Sequence, residues 1–91
     1  MAKRIGADKE RLARNLDEAF GAELTRLRVK SGLPQGKFAD MVGYDESYMR
    51  QLEKGEKSPT LRTISDIAKA VSLDVSALIR LAERRMKREK S

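Results

Sequence analysis

Apolar residues recur at three- and four-residue steps along most of this chain, the spacing of helices that each bury one face. From Asp8 onward, Leu12, Leu16, Ala19, Phe20, Leu24 and Leu27 mark a first stretch, which Ser31-Gly32 ends. Gly21 interrupts it, so the pattern admits two helices or one with a weak joint. Met1–Gly6 carries no such pattern and is expected to be disordered. Pro34 suits the first turn of a second helix, Gln35 to Val42, with Phe38, Ala39 and Val42 inward and Gly43 closing it. Asp45 suits the N-cap of a third, Glu46 to Lys54, with Met49 and Leu52 inward and Gly55 as its stop. A fourth helix is expected over Thr60 to Val71, with Leu61, Ile64, Ile67, Ala68 and Val71 in register. A fifth runs from Val75 towards Lys87, with Val75, Leu78, Ile79, Ala82 and Met86 on one face.

The predicted fold class is therefore all-α, a compact bundle of five to six short helices in one small domain. Composition agrees, because a 40% hydrophobic chain with two Tyr, two Phe and no Trp builds its core from aliphatic residues, whereas sheets use more aromatics. The absence of Cys and His removes disulfides, thiolate or imidazole metal sites and His-activated nucleophiles. No cofactor or metal is implied. An all-carboxylate nuclease site would need clustered acids, and Asp40, Asp45, Glu46 and Glu53 are not spaced to converge. No apolar run approaches the roughly 20 residues of a membrane span, and the N-terminus lacks a signal peptide's apolar stretch, so a cytoplasmic protein is expected.

The net charge of +6 changes the picture less than its size suggests. Residues 1–20 hold five basic and four acidic residues, 21–79 nine and eight, and 80–91 six and two. Most of the excess is thus a basic tail, which by itself implies no nucleic-acid partner.

The chemistry lies in the second and third helices, which Gly43-Tyr44-Asp45 joins into a helix–turn–helix unit. Ala39 is small where the two helices should cross, and Tyr44, Met49 and Leu52 should seal them to the core. Many helical hairpins share this spacing. The wider combination is more specific: Phe20-Gly21, Leu24 and Leu27-Arg28; Gly32-Leu33, Gln35, Phe38-Ala39 and Val42-Gly43; Met49, Leu52-Glu53 and Gly55; Pro59, Leu61, Ile64, Ile67-Ala68, Ala70-Val71 and Leu78. Over Phe20 to Leu78, about two thirds of its length, the chain resembles the lambda-repressor-like, or Xre-family, helix-turn-helix domains of bacteria and phage.

That resemblance implies a bundle whose third helix enters the DNA major groove, usually as a homodimer on two half-sites, in a regulator that represses by occupying a promoter. The base-reading positions then fall on Glu46, Ser47 and Gln51, with Tyr48 and Arg50 at the flanks. Gln51 suits adenine, and Arg50 suits guanine or a phosphate. Glu46 has two readings, an acceptor for cytosine N4 that Gln35 could hold in place, or a first-turn carboxylate answering the helix dipole. Gln35, Lys54, Lys57, Ser58, Thr60 and Arg62 are the expected backbone contacts, and the resemblance implies that Gln35 also braces the third helix. Glu53 is expected to pair internally with Arg28 and to orient helices. Residues 1–17 read as an N-terminal extension, 18–79 as the DNA-binding domain and 80–91 as a helical tail. The far half of the last helix and the Leu12–Leu16 stretch compete as dimer interface. A module that binds a protein partner, such as an antitoxin bound to its toxin, is the alternative from another class.

Overall fold

The leucine-rich stretch that Gly21 interrupts forms one helix. In the computed structural model, which describes residues 5–90, α1 spans Ile5–Lys30, α2 Gln35–Val42, α3 Glu46–Glu53, α4 Leu61–Ala70 and α5 Val75–Lys90. The fold class is all-α as expected, although α1 and α5, of 26 and 16 residues, are long. Ile5 and Gly6, expected to be disordered, belong to α1; residues 1–4 lie outside the described residues.

Gly21 does not break α1 because α3 packs onto it. A Cβ at position 21 would press on the Leu52 carbonyl oxygen and stand 2.6 Å from that of Glu53. The weak helix former thus occupies the place where α1 meets the C-terminal end of α3 backbone to side.

The core forms where the five stripes meet, with Leu24, Phe38, Ala39, Met49, Leu52, Ile67 and Leu78 without solvent exposure. α1 packs against α5 and α3, α2 against α3 and α4, and α4 against α5. Gly43 takes a left-handed φ of 99°, and the N–H groups of Gly43 and Tyr44 both donate to the Ala39 carbonyl at 2.9 Å, which closes α2 and turns the chain sharply into α3. Asp45 is the N-cap of α3, its carboxylate accepting from the Tyr48 N–H at 2.8 Å. Thr60, expected inside α4, instead caps it by accepting from the Thr63 N–H at 3.1 Å.

Several apolar positions expected to face inward are uncovered. Leu61 is 80% exposed, because it stands on the first turn of α4, and periodicity sets the side a residue faces without setting how far a neighbour reaches. Leu12 and Leu16, offered above as a candidate interface, are exposed too. At 1.5 Å per residue α1 is a rod of about 39 Å, roughly twice the short axes of 23 and 20 Å, so its N-terminal part outruns the bundle. Val75 is also partly exposed, whereas Leu78 and Ala82 on the same helix are buried.

The second half of α5, a candidate interface, is itself tied to the bundle. It turns back on α1, where Arg85 Nε donates to Glu23 at 2.7 Å and Arg26 pairs with the same carboxylate at 2.8 Å. Glu23, only 2% exposed, lies on the α1 stripe three residues after Phe20 and four before Leu27, and that placement is the sequence signal for a buried charge. Burial pushes its pKa up, but the hydrogen bonds and charges of Arg26 and Arg85 outweigh this and hold the carboxyl below its ordinary value of 4.5. A depressed folded pKa stabilises the fold above the unfolded value and ceases to do so as pH falls through the folded one. Glu23→Gln is accordingly expected to cost about 1–3 kcal/mol at neutral pH. In thermal melts the wild-type advantage should shrink as pH drops below 4.5, and a gap independent of pH would contradict the ion-pair account.

Candidate nucleic-acid interface

With Met49 and Leu52 turned fully inward, the 100° step of a helix leaves Ser47, Arg50, Gln51 and Lys54 on the far side of α3. Ser47, Arg50 and Lys54 are exposed and Gln51 is half-buried. Arg50 donates to the Ser47 hydroxyl at 3.2 Å, which lays its guanidinium along the helix. Every member of this stripe can donate a hydrogen bond, and it carries two positive charges and no negative one. Glu46 is exposed at the stripe's edge, beside α2.

Tyr48, expected at the flank of the readers, turns the other way. Its ring stacks obliquely on Tyr44, with centroids 5.5 Å apart, and it packs on the core with its hydroxyl 3.5 Å from the Thr63 hydroxyl. The Tyr44 hydroxyl donates to Asp66 at 2.7 Å, so the two tyrosines tie the start of α3 to α4.

The opposite end of α3 is clamped by one carboxylate. Arg28 Nε donates to Glu53 Oε2 at 2.7 Å and its second terminal nitrogen to Oε1 at 3.2 Å, the internal pair that was expected. Gln35 Nε2 and the Thr25 hydroxyl also donate to Oε1, at 3.0 and 3.1 Å, while Arg28 reaches the Leu33 carbonyl at 3.0 Å. The Glu53 side chain is only 6% exposed. In this structure Gln35 therefore braces the C-terminal end of α3 and does not hold Glu46, because its place at the start of α2 faces Glu53. Among the described residues no buried side-chain nitrogen or oxygen lacks a hydrogen-bond partner.

The expected backbone contacts divide into two kinds. Lys54, Lys57 and Arg62 are exposed cations around the α3–α4 connection. The hydroxyls are already engaged, Ser58 with Asp17 of α1 at 2.5 Å and Thr60 in its cap. The Asp17–Ser58 bond pins this loop to α1 and had no sequence signal, since 41 positions separate the partners. Among the described residues no group of three or more acidic side chains is placed to hold a metal ion, and no helix is long and apolar enough to cross a membrane.

Comparison with known proteins agrees with this geometry. Residues 19–82 match the family described as a helix-turn-helix domain. The HTH-type transcriptional regulator y4dJ of Sinorhizobium fredii is 30% identical over 65 residues, covering 71% of this chain and 84% of that protein. A propionyl-CoA carboxylase regulator of Cereibacter sphaeroides is 34% identical over 58 residues, 64% of this chain but only 13% of that much longer protein. Among solved structures, the clp gene regulator ClgR of Corynebacterium glutamicum shares the fold, with a TM-score of 0.77 at 24% identity over 82% of this chain and 80% of its own. The restriction-modification controller protein C.AhdI of Aeromonas hydrophila superposes with a TM-score of 0.66 at 32% identity, over 72% of this chain and 94% of its own.

Proposed function

The chain belongs to the helix-turn-helix domain family and is a DNA-binding transcriptional regulator, and we propose that it reads a specific duplex sequence through the outer stripe of α3. The observation that carries this reading is the polarity of that helix: Met49, Leu52 and the Glu53 clamp hold one side, and Ser47, Arg50, Gln51 and Lys54 stand on the other. An α-helix with its side chains is about 10–12 Å across, which the roughly 12 Å width of the major groove admits. Gln51 pairs with adenine, Arg50 with guanine or a phosphate, Ser47 with either purine or pyrimidine, and Glu46 accepts from cytosine at the stripe's edge. Lys54, Lys57 and Arg62 neutralise phosphates, with Gln35, Ser58 and Thr60 as polar neighbours of the backbone. The reading assigns no catalysis and no cofactor.

The protein acts as a homodimer on two half-sites and represses by occupying a promoter. Supporting self-association, a hollow of about 110 Å³ lined by Leu16, Phe20, Pro59, Ile64, Ile79 and Ala82 joins α1, the α3–α4 loop and α5 in one largely apolar face. The hollow sets Leu16 of one candidate interface beside Ile79 and Ala82 of the helix that carries the other. The same face favours a second reading, in which a partner protein such as a toxin occupies it.

Selection of bound duplexes from a random pool tests the assignment, with a palindrome of half-sites about 10 base pairs apart as the expected result. On the selected site, Gln51→Ala should lose about 1–3 kcal/mol of discrimination at one base-pair position. Equal weakening on every sequence would remove Gln51 from direct readout.

A further inference from the structure

One contact between α2 and α3 is not used by the core, the clamp or the caps. The Glu46 carboxylate lies flat over Gly36 in the first turn of α2: a Cβ built on Gly36 would stand 3.2 Å from Glu46 Oε1, 3.4 Å from its Cδ and 3.7 Å from Oε2. Among the described residues no hydrogen bond or ion pair holds this carboxylate, and it stands within contact distance of where a side chain at position 36 would begin. Beside it an open hollow lined by Pro34, Gly36, Lys37, Asp40 and Glu46 gives the side chain room to leave that seat. Position 36 is also helical, where glycine is a poor helix former and nearly any other residue would favour α2 more. The glycine therefore works against the helix in which it stands, and the space it leaves is filled by the one acidic group on the exposed side of α3.

We propose that Gly36 is a positioning residue for base readout, seating the Glu46 carboxylate at the groove-facing edge of α3 where it accepts from a cytosine amine. This rests on the reading of α3 as the helix that meets base edges. A side chain at position 36 occupies the seat and turns the carboxylate outward, towards the phosphates, where its charge repels. The contact thus acts on which base is preferred at one position and not on whether the domain folds.

The test uses the full chain, the duplex it selects, and single-base variants of that duplex. Wild type should prefer cytosine at one position of each half-site by about tenfold. Glu46→Gln should abolish that preference and leave the other positions unchanged. Gly36→Leu should abolish the same preference at the same position while melting no lower than wild type, since leucine is the better helix former. Gly36→Ala, which displaces the carboxylate by only a few tenths of an ångström, should weaken the preference in part and serves as the milder variant if leucine perturbs folding. The double variant Gly36→Leu/Glu46→Gln should be no worse than either single one, because both act through one carboxylate. Retention of the cytosine preference in Gly36→Leu, additive losses in the double variant, or no change on Glu46→Gln would each overturn the proposal while leaving the DNA-binding reading intact. A wild-type chain that selects no sequence at all would defeat the DNA reading itself.

Discussion

Gly21→Ala is expected to destabilise the domain by about 2–3 kcal/mol, against the trend of helix propensity. Position 21 is internal to α1, where replacing glycine with alanine would ordinarily add about 1 kcal/mol of stability. The added methyl group would, however, meet the carbonyl oxygens of Leu52 and Glu53. These are backbone atoms in the last turn of α3, and unlike the end of a long side chain they cannot rotate aside. Either α1 moves away from α3, opening the contact among Phe20, Leu24 and Leu52, or the last turn of α3 unwinds. For a domain of this size, with about 5–14 kcal/mol in total, the loss should lower the melting temperature by roughly 10 °C. A thermal melt checks the sign directly. A stabilised Gly21→Ala protein would mean that α1 does not bear on α3 in solution.

The second large effect concerns the Glu53 clamp, and it separates stability from positioning. Arg28→Met leaves a carboxylate that is 6% exposed with only neutral donors, Gln35 and Thr25, and should cost about 3–5 kcal/mol in urea unfolding. Arg28→Met/Glu53→Met removes both charges and fills the space with apolar volume, so it should recover most of that loss. Duplex binding should not recover with it. Glu53 joins the end of α3 to α1 and α2 through three donors, and without them the stripe of Ser47, Arg50 and Gln51 is no longer held rigidly to the frame that docks it. Recovery of both stability and affinity in the double variant would show that the clamp is only structural.

Both effects arise between helices, whereas most of the local architecture is written in the sequence. The helices after α1, the Asp45 cap, the left-handed turn at Gly43 and the outward face of α3 were all legible, because each depends on residues within one or two turns of each other. The Arg28–Glu53 pair was legible too, through the pattern shared with related domains. Gly21 left two helices or one open and the fold has one, while Leu61, in register with the inner side of α4, is exposed. Tyr48, placed at the flank of the readers, is found turned to Thr63, whereas Gln35 braces α3 through Glu53 as the resemblance implies.

Local periodicity is a property of one helix, so the order of residues was enough to specify α2 to α5, most of their inner sides and the polar stripe on the exposed side of α3. How closely α1 approaches α3, how far α1 extends past its neighbours, and which partner each long polar side chain finds depend on the crossing of elements tens of residues apart. Those outcomes follow from distances across the bundle, which no spacing along the chain encodes.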